Sequence, residues 1–208
     1  MRPAGDTQLI QIVDAALADA AHRSGSHLFC HPGCTPCCHG VFAISSLDAS
    51  RLQDGLAALQ RTDPARAHRL LQRTGVSVAT LTPDFPGNTD TGHLATDEDS
   101  QSRFEDFAND EPCPVLDPET GTCDLYAYRP MTCRIFGPPI RSEGGLGICE
   151  LCFQHASEPE IEAAEMHLPE PVLEQSLTAP LGEWTTIIPF ALRTSPSRPA
   201  STTPVGHS

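Results

Sequence analysis

The chain has 208 residues, of which 39% are apolar and only 5% aromatic, and it contains twenty prolines and fifteen glycines. This length and composition predict one domain with a modest core and many loops, a type of fold that often depends on bound metal or cross-links for stability. The formal net charge is −14 and all thirteen basic residues are arginines, which argues against binding to nucleic acid or to an anionic membrane surface.

The sequence carries no pattern typical of a secreted or membrane-spanning chain. Its N-terminal region lacks a basic segment followed by an apolar one, and no apolar run approaches the ~20 residues that a spanning helix requires. We therefore expect a cytoplasmic protein without a membrane partner. In a reducing compartment clustered cysteines are more often metal ligands or redox groups than disulfides, and an odd number of nine leaves one thiol outside any disulfide framework.

Two helices are predicted in the first third of the chain. Apolar residues at helical spacing indicate one over residues 7–22, with Asp6 as its N-cap and Gly25 at its end. The other begins at Ser45 or the next serine and runs to about residue 60, with Asp48 as the partner in a capping box.

A third helix is predicted over residues 65–73. Asp63 and Pro64 supply a cap followed by a proline at the first helical position, and Gly75 is expected to end the helix. The segment 76–99 is rich in proline, glycine, threonine and aspartate, which predicts an irregular connection.

The rest of the chain is predicted to contain short elements only. Residues 103–107 fit a turn of helix or a short strand, 159–177 fit interrupted helices, and 184–192 fit a last strand or helix. Residues 194–208 are rich in serine, threonine and proline and are predicted to be disordered. The expected fold is α+β and mainly helical, with irregular cysteine-rich loops: a small, metal-stabilised single domain over 1–193 with its core motif in 28–153.

All nine cysteines fall in three places, and we interpret all nine as candidate metal ligands. Pairs separated by two or three residues allow a tight loop to bring both sulfurs to one ion, which binds four thiolates in zinc sites and in iron–sulfur clusters. The candidates are Cys30, Cys34, Cys37 and Cys38 in the first place, Cys113, Cys123 and Cys133 in the second, and Cys149 and Cys152 in the third.

The adjacent pair Cys37-Cys38 bears on how many centres there are. Neighbouring side chains point in different directions, so both sulfurs rarely bind one mononuclear ion. Nine cysteines fit two four-cysteine sites with one to spare, and they fit one cluster with supporting thiols equally well. The sequence leaves this division open.

The central stretch 113–134 is predicted to place its cysteines on a hairpin and a helix. Residues 117–122 fit a turn that would bring Cys113 and Cys123 toward each other. Pro130 fits the first turn of a helix carrying Cys133, whose thiolate a helix N-terminus favours.

Three further residues are candidates around the centre rather than ligands. Arg129 and Arg134 can offset thiolate charge, or can form surface salt bridges. Tyr126 can support the site by hydrogen bonding, or can belong to the core. Histidines beside the cysteines, namely His27, His31, His39 and His155, are additional donors whose alternative is a position around the site or in solvent.

These residues resemble a known family. The run Cys30-x3-Cys34-x2-Cys37-Cys38, followed by a Cys113-Pro114 pair, Cys123, and a Tyr126-x-x-Arg129-Pro130-x-x-Cys133-Arg134 run, is similar to the YkgJ-type cysteine-cluster family, the CxxCxxCC zinc- or iron-chelating domain. The resemblance covers roughly residues 28–153; some members have two residues where this chain has three between Cys30 and Cys34.

The resemblance implies bound zinc, iron or an iron–sulfur centre such as a [4Fe-4S] cluster, and it does not imply a settled reaction. Members are often labelled iron–sulfur oxidoreductases, and flagellin lysine N-methylases are related to the family. The hypotheses are therefore a metal domain without turnover, an iron–sulfur redox or methyl-transfer enzyme, and an interaction module stiffened by metal.

Overall fold

The computed structural model describes residues 2–142 and 145–193 of the chain. Within them the α-helices are α1 (Asp6–Ser24), α2 (Ser46–Thr62), α3 (Pro64–Leu81), α4 (Glu98–Glu105), α5 (Met131–Ile135), α6 (Glu158–Ala164), α7 (Pro171–Thr178) and α8 (Ile188–Leu192). The strands are β1 (Ile44–Ser45), β2 (Gly87–Asn88), β3 (His93–Leu94), β4 (Leu116–Asp117), β5 (Thr122–Cys123), β6 (Ile140–Ser142), β7 (Gly145–Gly147) and β8 (Thr185–Thr186).

The strands form four separate antiparallel pairs. Three of them, β2–β3, β4–β5 and β6–β7, are local hairpins, whereas β1 pairs with the distant β8 and ties the start of α2 to the last helix. The prediction of a mainly helical α+β fold with irregular cysteine-rich loops is confirmed. No helix of the described residues is both long and apolar enough to cross a membrane.

The main core lies where α2, α3 and α8 pack together. Its buried side chains include Leu52 from α2, Leu70 from α3 and Leu192 from α8. Val115 and Leu125, which flank the β4–β5 hairpin, are 2% exposed and belong to the same cluster. The hairpin that carries Cys123 is therefore anchored directly on the main core.

A smaller apolar cluster lies under the other cysteine-rich loops. It consists of Cys149, Cys152, Phe153 and Ala164, with Leu28 and Ile161 packed against it. Cys149 and Cys152 thus have apolar surroundings of their own, separate from the main core.

Buried charges connect α1, α2 and α5. The Arg51 side chain is 1% exposed and donates to Asp6 Oδ1 from both Nε (2.8 Å) and Nη2 (2.6 Å), and to Asp48 Oδ1 from Nη1 at 2.6 Å. Asp48 Oδ1 also accepts the backbone N–H of Met131 at 2.9 Å. Because an unpaired charge is costly to bury, this network fixes the three helices relative to one another.

Two details of the predicted helix caps are wrong, because the carboxylates of Asp6 and Asp48 pair with Arg51 instead of capping a helix. Asp6 is buried in the first turn of α1 and Gly5 is the N-cap, although Gly25 ends the helix as predicted, with φ +51°. Ser45 caps α2 as predicted, its Oγ accepting the Asp48 N–H at 3.1 Å, but the Asp48 carboxylate turns to Arg51 and Met131 rather than back to the cap.

The third helix is longer than predicted. Asp63 caps α3 by accepting the Arg66 N–H at 3.0 Å, as expected, but the helix continues through Gly75 to Leu81. Burial of Ser77 and Leu81 on one face outweighs the roughly 1 kcal/mol that a glycine costs inside a helix. The irregular connection predicted for 76–99 therefore begins only after residue 81, and it contains the β2–β3 hairpin.

The later elements agree with their predicted positions. The segment 159–177 contains parts of α6 and α7, and 184–192 contains β8 and α8. The predicted disordered tail 194–208 lies outside the described residues, and the domain boundary at residue 193 stays a prediction.

Candidate metal centre

The first cysteine-rich loop is folded by tight turns rather than by regular structure, as predicted. Cys34 N donates to His31 O at 3.0 Å and Cys38 N donates to Thr35 O at 2.8 Å, so each turn is closed by one hydrogen bond. Gly33 (φ +91°) has a backbone conformation that other residues rarely adopt. These turns fold four cysteines into a compact loop.

The same loop pairs with the chain just before β4. His39 and Pro112 form an antiparallel bridge, Cys113 N donates to Cys38 O at 2.8 Å, and Gly40 N donates to Glu111 O at 2.9 Å. This register makes Cys38 the cross-strand neighbour of Cys113. Cysteines 75 positions apart are thereby brought side by side by backbone hydrogen bonds.

The β4–β5 hairpin has the predicted turn. Asp117 Oδ1 accepts the Glu119 N–H at 3.0 Å, and Gly121 closes the turn with φ +66° by donating its N–H to Asp117 O at 2.9 Å. A methyl group on Gly121 would lie only 3.4 Å from Gly33 Cα, so the tip of the hairpin meets the first cysteine-rich loop.

Two arginines of α3 hold this hairpin in place. The Asp124 carboxylate, with a side chain 1% exposed, accepts hydrogen bonds from Arg66 Nε and Arg73 Nη2. Arg73 Nε also donates to Pro114 O at 2.9 Å. The residues that follow Cys113 and Cys123 are therefore both fixed to the same helix.

Cys133 lies on α5, which begins after Pro130 as predicted. The first amide of this helix, Met131 N–H, donates to Asp48 of the buried network. Asp48 is also among the charges near the Cys133 thiol. The orientation of Cys133 thus depends on a carboxylate 85 positions earlier in the chain.

Four cysteines form a first thiol group, defined as Cys30, Cys34, Cys149 and Cys152. The sulfurs of Cys30 and Cys152 are 4.0 Å apart, and Phe29 N–H donates to Cys152 Sγ at 3.3 Å. Cys149 and Cys152 are 9% and 4% exposed, whereas Cys30 is exposed.

The pKa shifts of this group reflect burial and the closeness of its members. Burial and the neighbouring Cys152 raise the pKa of Cys30 to about 12, and Cys149 and Cys34 contribute further. Burial, followed by Cys37 and Cys152, raises the pKa of Cys34. Since every neighbouring thiolate makes another harder to form, a bound cation is what can stabilise them together.

A second thiol group consists of Cys113, Cys123 and Cys133, with the pair Cys37-Cys38 beside it. Burial, with a smaller contribution from Cys123, raises the pKa of Cys113 to about 12. Burial also raises the pKa of Cys133, followed by Cys113, Cys123 and Cys37. The Cys37 thiol is hydrogen-bonded with Cys38, which is the main cause of its own raised pKa.

The sulfurs of each group are neighbours, but they do not surround a common point at which an ion could bind. Among residues 2–142 and 145–193, no three histidine, cysteine, aspartate or glutamate side chains converge at the spacing that encloses one ion. All nine cysteines are free thiols. Rotation of cysteine side chains is therefore needed to complete either group around a metal.

The three residues predicted to surround the centre have different positions. Arg129 is 9% exposed, lies 3.9 Å from the Tyr126 ring centroid, and is close enough to Cys123 to lower the pKa of that thiol, although burial raises it overall. Tyr126 is 63% exposed and so does not belong to the core. Arg134 is buried and its Nη1 pairs with Asp14 at 2.8 and 3.0 Å rather than with a sulfur.

The histidines beside the cysteines contact other groups. His27 stacks on Phe153 with ring centroids 5.5 Å apart, and its Nε2 is 3.5 Å from Glu160 Oε1. His31 Nδ1 is 2.9 Å from Pro32 O, and His39 Nδ1 is 3.1 Å from Thr35 O.

A cleft of about 450 Å³ lies against both thiol groups. Cys37, Cys133 and Cys149 all line it. The remaining wall is formed by apolar Pro36, Val41, Phe42 and Phe136 and by polar His39, Asn109, Thr132 and Glu150, together with Gly40.

Three residues that support the thiol groups are not evident from the sequence. Asp48 and Asp124 act through contacts with residues far away in the chain, so no local pattern reveals them. Gly137 has φ +126°, and a Cβ at this position would lie 2.9 Å from Cys30 Sγ. A glycine followed by two prolines indicates a fixed turn, but only the structure connects that turn to Cys30.

Comparison with known proteins agrees with this geometry. Residues 29–152 match the family model CxxCxxCC, described as "Putative zinc- or iron-chelating domain", and this range includes every cysteine of the chain. A search of curated proteins and a search of solved structures each found no match. The match covers more than half of the chain, so the protein belongs to the CxxCxxCC family of metal-chelating domains.

Proposed function

We propose that the protein binds zinc or iron through its clustered cysteines and that this metal holds distant parts of the chain together. The observation that carries the proposal is the 4.0 Å separation of the Cys30 and Cys152 sulfurs, which belong to residues 122 positions apart. Four ligands at ~2.3 Å around a tetrahedral zinc lie about 3.8 Å from one another. One pair of sulfurs thus already has nearly the spacing of two ligands of a single ion.

The donor chemistry fits zinc or iron. Thiolates are the ligands of structural zinc sites and of iron–sulfur clusters, including the [4Fe-4S] type. The nine thiols, with Arg129 near Cys123, offer a soft donor set. Hard cations such as Mg²⁺ and Ca²⁺ prefer oxygen ligands and are not expected to compete.

A cytoplasmic location agrees with this proposal. Thiols remain reduced and able to bind metal in the cytoplasm, whereas exposed thiols such as Cys30 and Cys37 would be open to oxidation outside it. The net charge of −14 argues against nucleic acid as a partner, so the proposed partner is the metal itself.

Purification without oxygen followed by elemental analysis tests the proposal. We expect stoichiometric zinc, or iron with or without acid-labile sulfide, in the purified protein. Protein purified without oxygen that contains neither metal, and that takes up neither on titration with Zn²⁺ or Fe²⁺, would contradict the proposal.

The cleft favours a second candidate function, iron–sulfur redox or methyl-transfer catalysis. It gives a small molecule access to Cys37, Cys133 and Cys149 at the edge of both thiol groups. A brown protein with iron, acid-labile sulfide and a reversible reduction of its absorbance would support this candidate. A colourless protein with stoichiometric zinc would rule it out.

A further inference from the structure

We propose that the nine cysteines form two separate four-thiolate metal centres and leave Cys37 as a ligand-free thiol between them. The first centre is Cys30, Cys34, Cys149 and Cys152, and the second is Cys38, Cys113, Cys123 and Cys133. This inference rests on the proposed function, since it assigns the ligands of the metal whose binding is proposed above.

The first centre joins two loops that meet through their sulfurs, a few backbone hydrogen bonds and the packing of His27 and Leu28 on the cluster around Phe153. Cys30 Sγ is 4.0 Å from Cys152 Sγ, and Cys34 also lies close to Cys152. The Phe153 amide donates to His27 O at 2.9 Å and fixes the register of the two loops. Cys149 and Cys152 have the two-residue spacing that lets a tight turn present both sulfurs, here closed by Cys152 N–H to Cys149 O at 2.8 Å.

The second centre is assembled around the β4–β5 hairpin and α5. Cys123 lies on β5, Cys113 stands three residues before β4 at a turn closed by Leu116 N–H to Cys113 O at 3.0 Å, and the Cys133 thiol has both as neighbours. Cys38 is the cross-strand neighbour of Cys113, with its carbonyl accepting the Cys113 N–H. Cross-strand neighbours have Cβ atoms about 4.5–5.5 Å apart and point to the same face, which directs Cys38 toward this group.

The two centres belong to different packing units, which argues against one shared cluster. Cys113 and Cys123 pack on the main core formed by α2, α3 and α8. Cys149 and Cys152 belong to the small cluster with Phe153 and Ala164. Each centre therefore has an apolar shell of its own.

Cys37 is left over because of its position between the groups. It has Cys34 of the first group and Cys133 of the second as neighbours, and its side chain is exposed on the wall of the cleft. The Cys37 thiol contacts that of Cys38, so the pair offers one thiol to the second centre, and the cross-strand pairing with Cys113 assigns that place to Cys38. Cys37 is then the thiol that a molecule in the cleft meets first.

Alkylation of the unaltered protein at increasing zinc loading tests the division directly. The reduced, metal-free chain receives zero, one or two equivalents of Zn²⁺, is treated briefly with iodoacetamide, and the modified cysteines are mapped by mass spectrometry. We expect protection to appear in blocks of four that match the two centres, with Cys37 alkylated at every loading. Protection of all nine as a single block, or blocks with other members, would overturn the assignment.

Serine variants test the adjacent pair with a matched control. We expect Cys38→Ser, Cys123→Ser and Cys152→Ser each to retain one of two zinc equivalents, and Cys37→Ser to retain both. Loss of one equivalent in Cys37→Ser with both retained in Cys38→Ser would reverse the roles of the pair. If a variant does not fold, the alkylation pattern of the unaltered chain still decides the assignment.

The same experiments separate the two proposals. An unaltered chain that binds no zinc or iron contradicts the proposed function. A chain that binds metal but loses all of it in every single variant leaves that function standing and refutes the two-centre assignment.

Discussion

The two thiol groups differ in what holds them in place. Around the second, Arg66 and Arg73 of α3 fix the hairpin through Asp124, and Asp48 fixes the helix of Cys133. Around the first, the contacts are backbone hydrogen bonds between irregular loops and a small apolar cluster.

This difference has a consequence for the role of metal. The second group is positioned by elements that the main core stabilises by itself, so its sulfurs are neighbours because of the fold. The first group has little apolar burial to offset the entropy of ordering its loops. We therefore expect the metal to be a folding requirement for the first group and a ligand of a largely preformed site for the second.

Metal removal is expected to have the largest effect, and an unequal one. After chelation we expect a loss of stability on the order of several kcal/mol. In hydrogen exchange, the amides of Phe29 and Phe153 in the first group should lose protection, while those of α2 and α3 keep most of theirs. Equal loss in both regions, or no change in melting temperature after complete removal, would break the comparison.

Asp48→Ala is expected to cause the next largest loss of stability, and its effect on metal binding should be confined to the second group. It leaves Arg51 buried with one fewer carboxylate and removes the acceptor of Met131 N–H, a change worth about 3–5 kcal/mol of unfolding free energy. Urea unfolding measures the loss. Asp6→Ala is the matched control, because Asp6 pairs with the same Arg51 but has no hydrogen bond to α5.

Both variants should lose stability, but only Asp48→Ala should weaken metal binding at the second group. Competition with a chelator, or the thiolate-to-metal absorption of Co²⁺-loaded protein, measures this difference. Identical metal affinity in both variants would mean that Asp48 acts only on stability.

Gly137→Ala should perturb the first group alone. Its φ of +126° strains any other residue by roughly 1–3 kcal/mol, and the new Cβ would lie 2.9 Å from Cys30 Sγ. Gly145→Ala is the control, since Gly145 has φ +112° but no atom within 4 Å of an added Cβ. Both variants should lose similar stability, whereas only Gly137→Ala should lose metal affinity at the first group; equal affinities would contradict the contact.

The smallest expected effect is a change of pH dependence on metal binding. Burial raises the pKa of Cys30 and of Cys113 to about 12, above the ordinary value of about 8.5 for a thiol. Between these values the unfolded chain loses protons that the metal-free fold retains, so the stability of the metal-free protein should fall as pH rises above about 9.

The metal-bound protein should behave in the opposite way at lower pH. Metal binding releases the thiol protons, so protons compete with the metal for the sulfurs. Metal affinity should therefore fall as pH falls. Zn²⁺ titrations between pH 6 and pH 8, together with thermal melts of both forms, check this. An affinity independent of pH would argue against thiolate ligands.

The sequence alone determined which residues are candidate donors and the local geometry near them. The spacing of Cys149 and Cys152, the turn between Cys113 and Cys123, and the helix start at Pro130 are all local, and each was predictable because turns and caps depend on few neighbouring residues. The mainly helical fold was predicted from apolar residues at helical spacing, and the family from the resemblance of the cysteine motifs.

Only the tertiary structure decided which cysteines are neighbours. The approach of Cys30 to Cys152 and of Cys38 to Cys113 joins residues 122 and 75 positions apart, and it depends on the packing of separate elements. The same holds for Asp48, whose spacing from Ser45 predicts a cap but whose carboxylate is taken by Arg51 and Met131. Leaving the buried Arg51 charge without a carboxylate partner costs more free energy than a helix cap contributes, which is about 1 kcal/mol. The Asp48 carboxylate therefore pairs with Arg51 rather than with the cap.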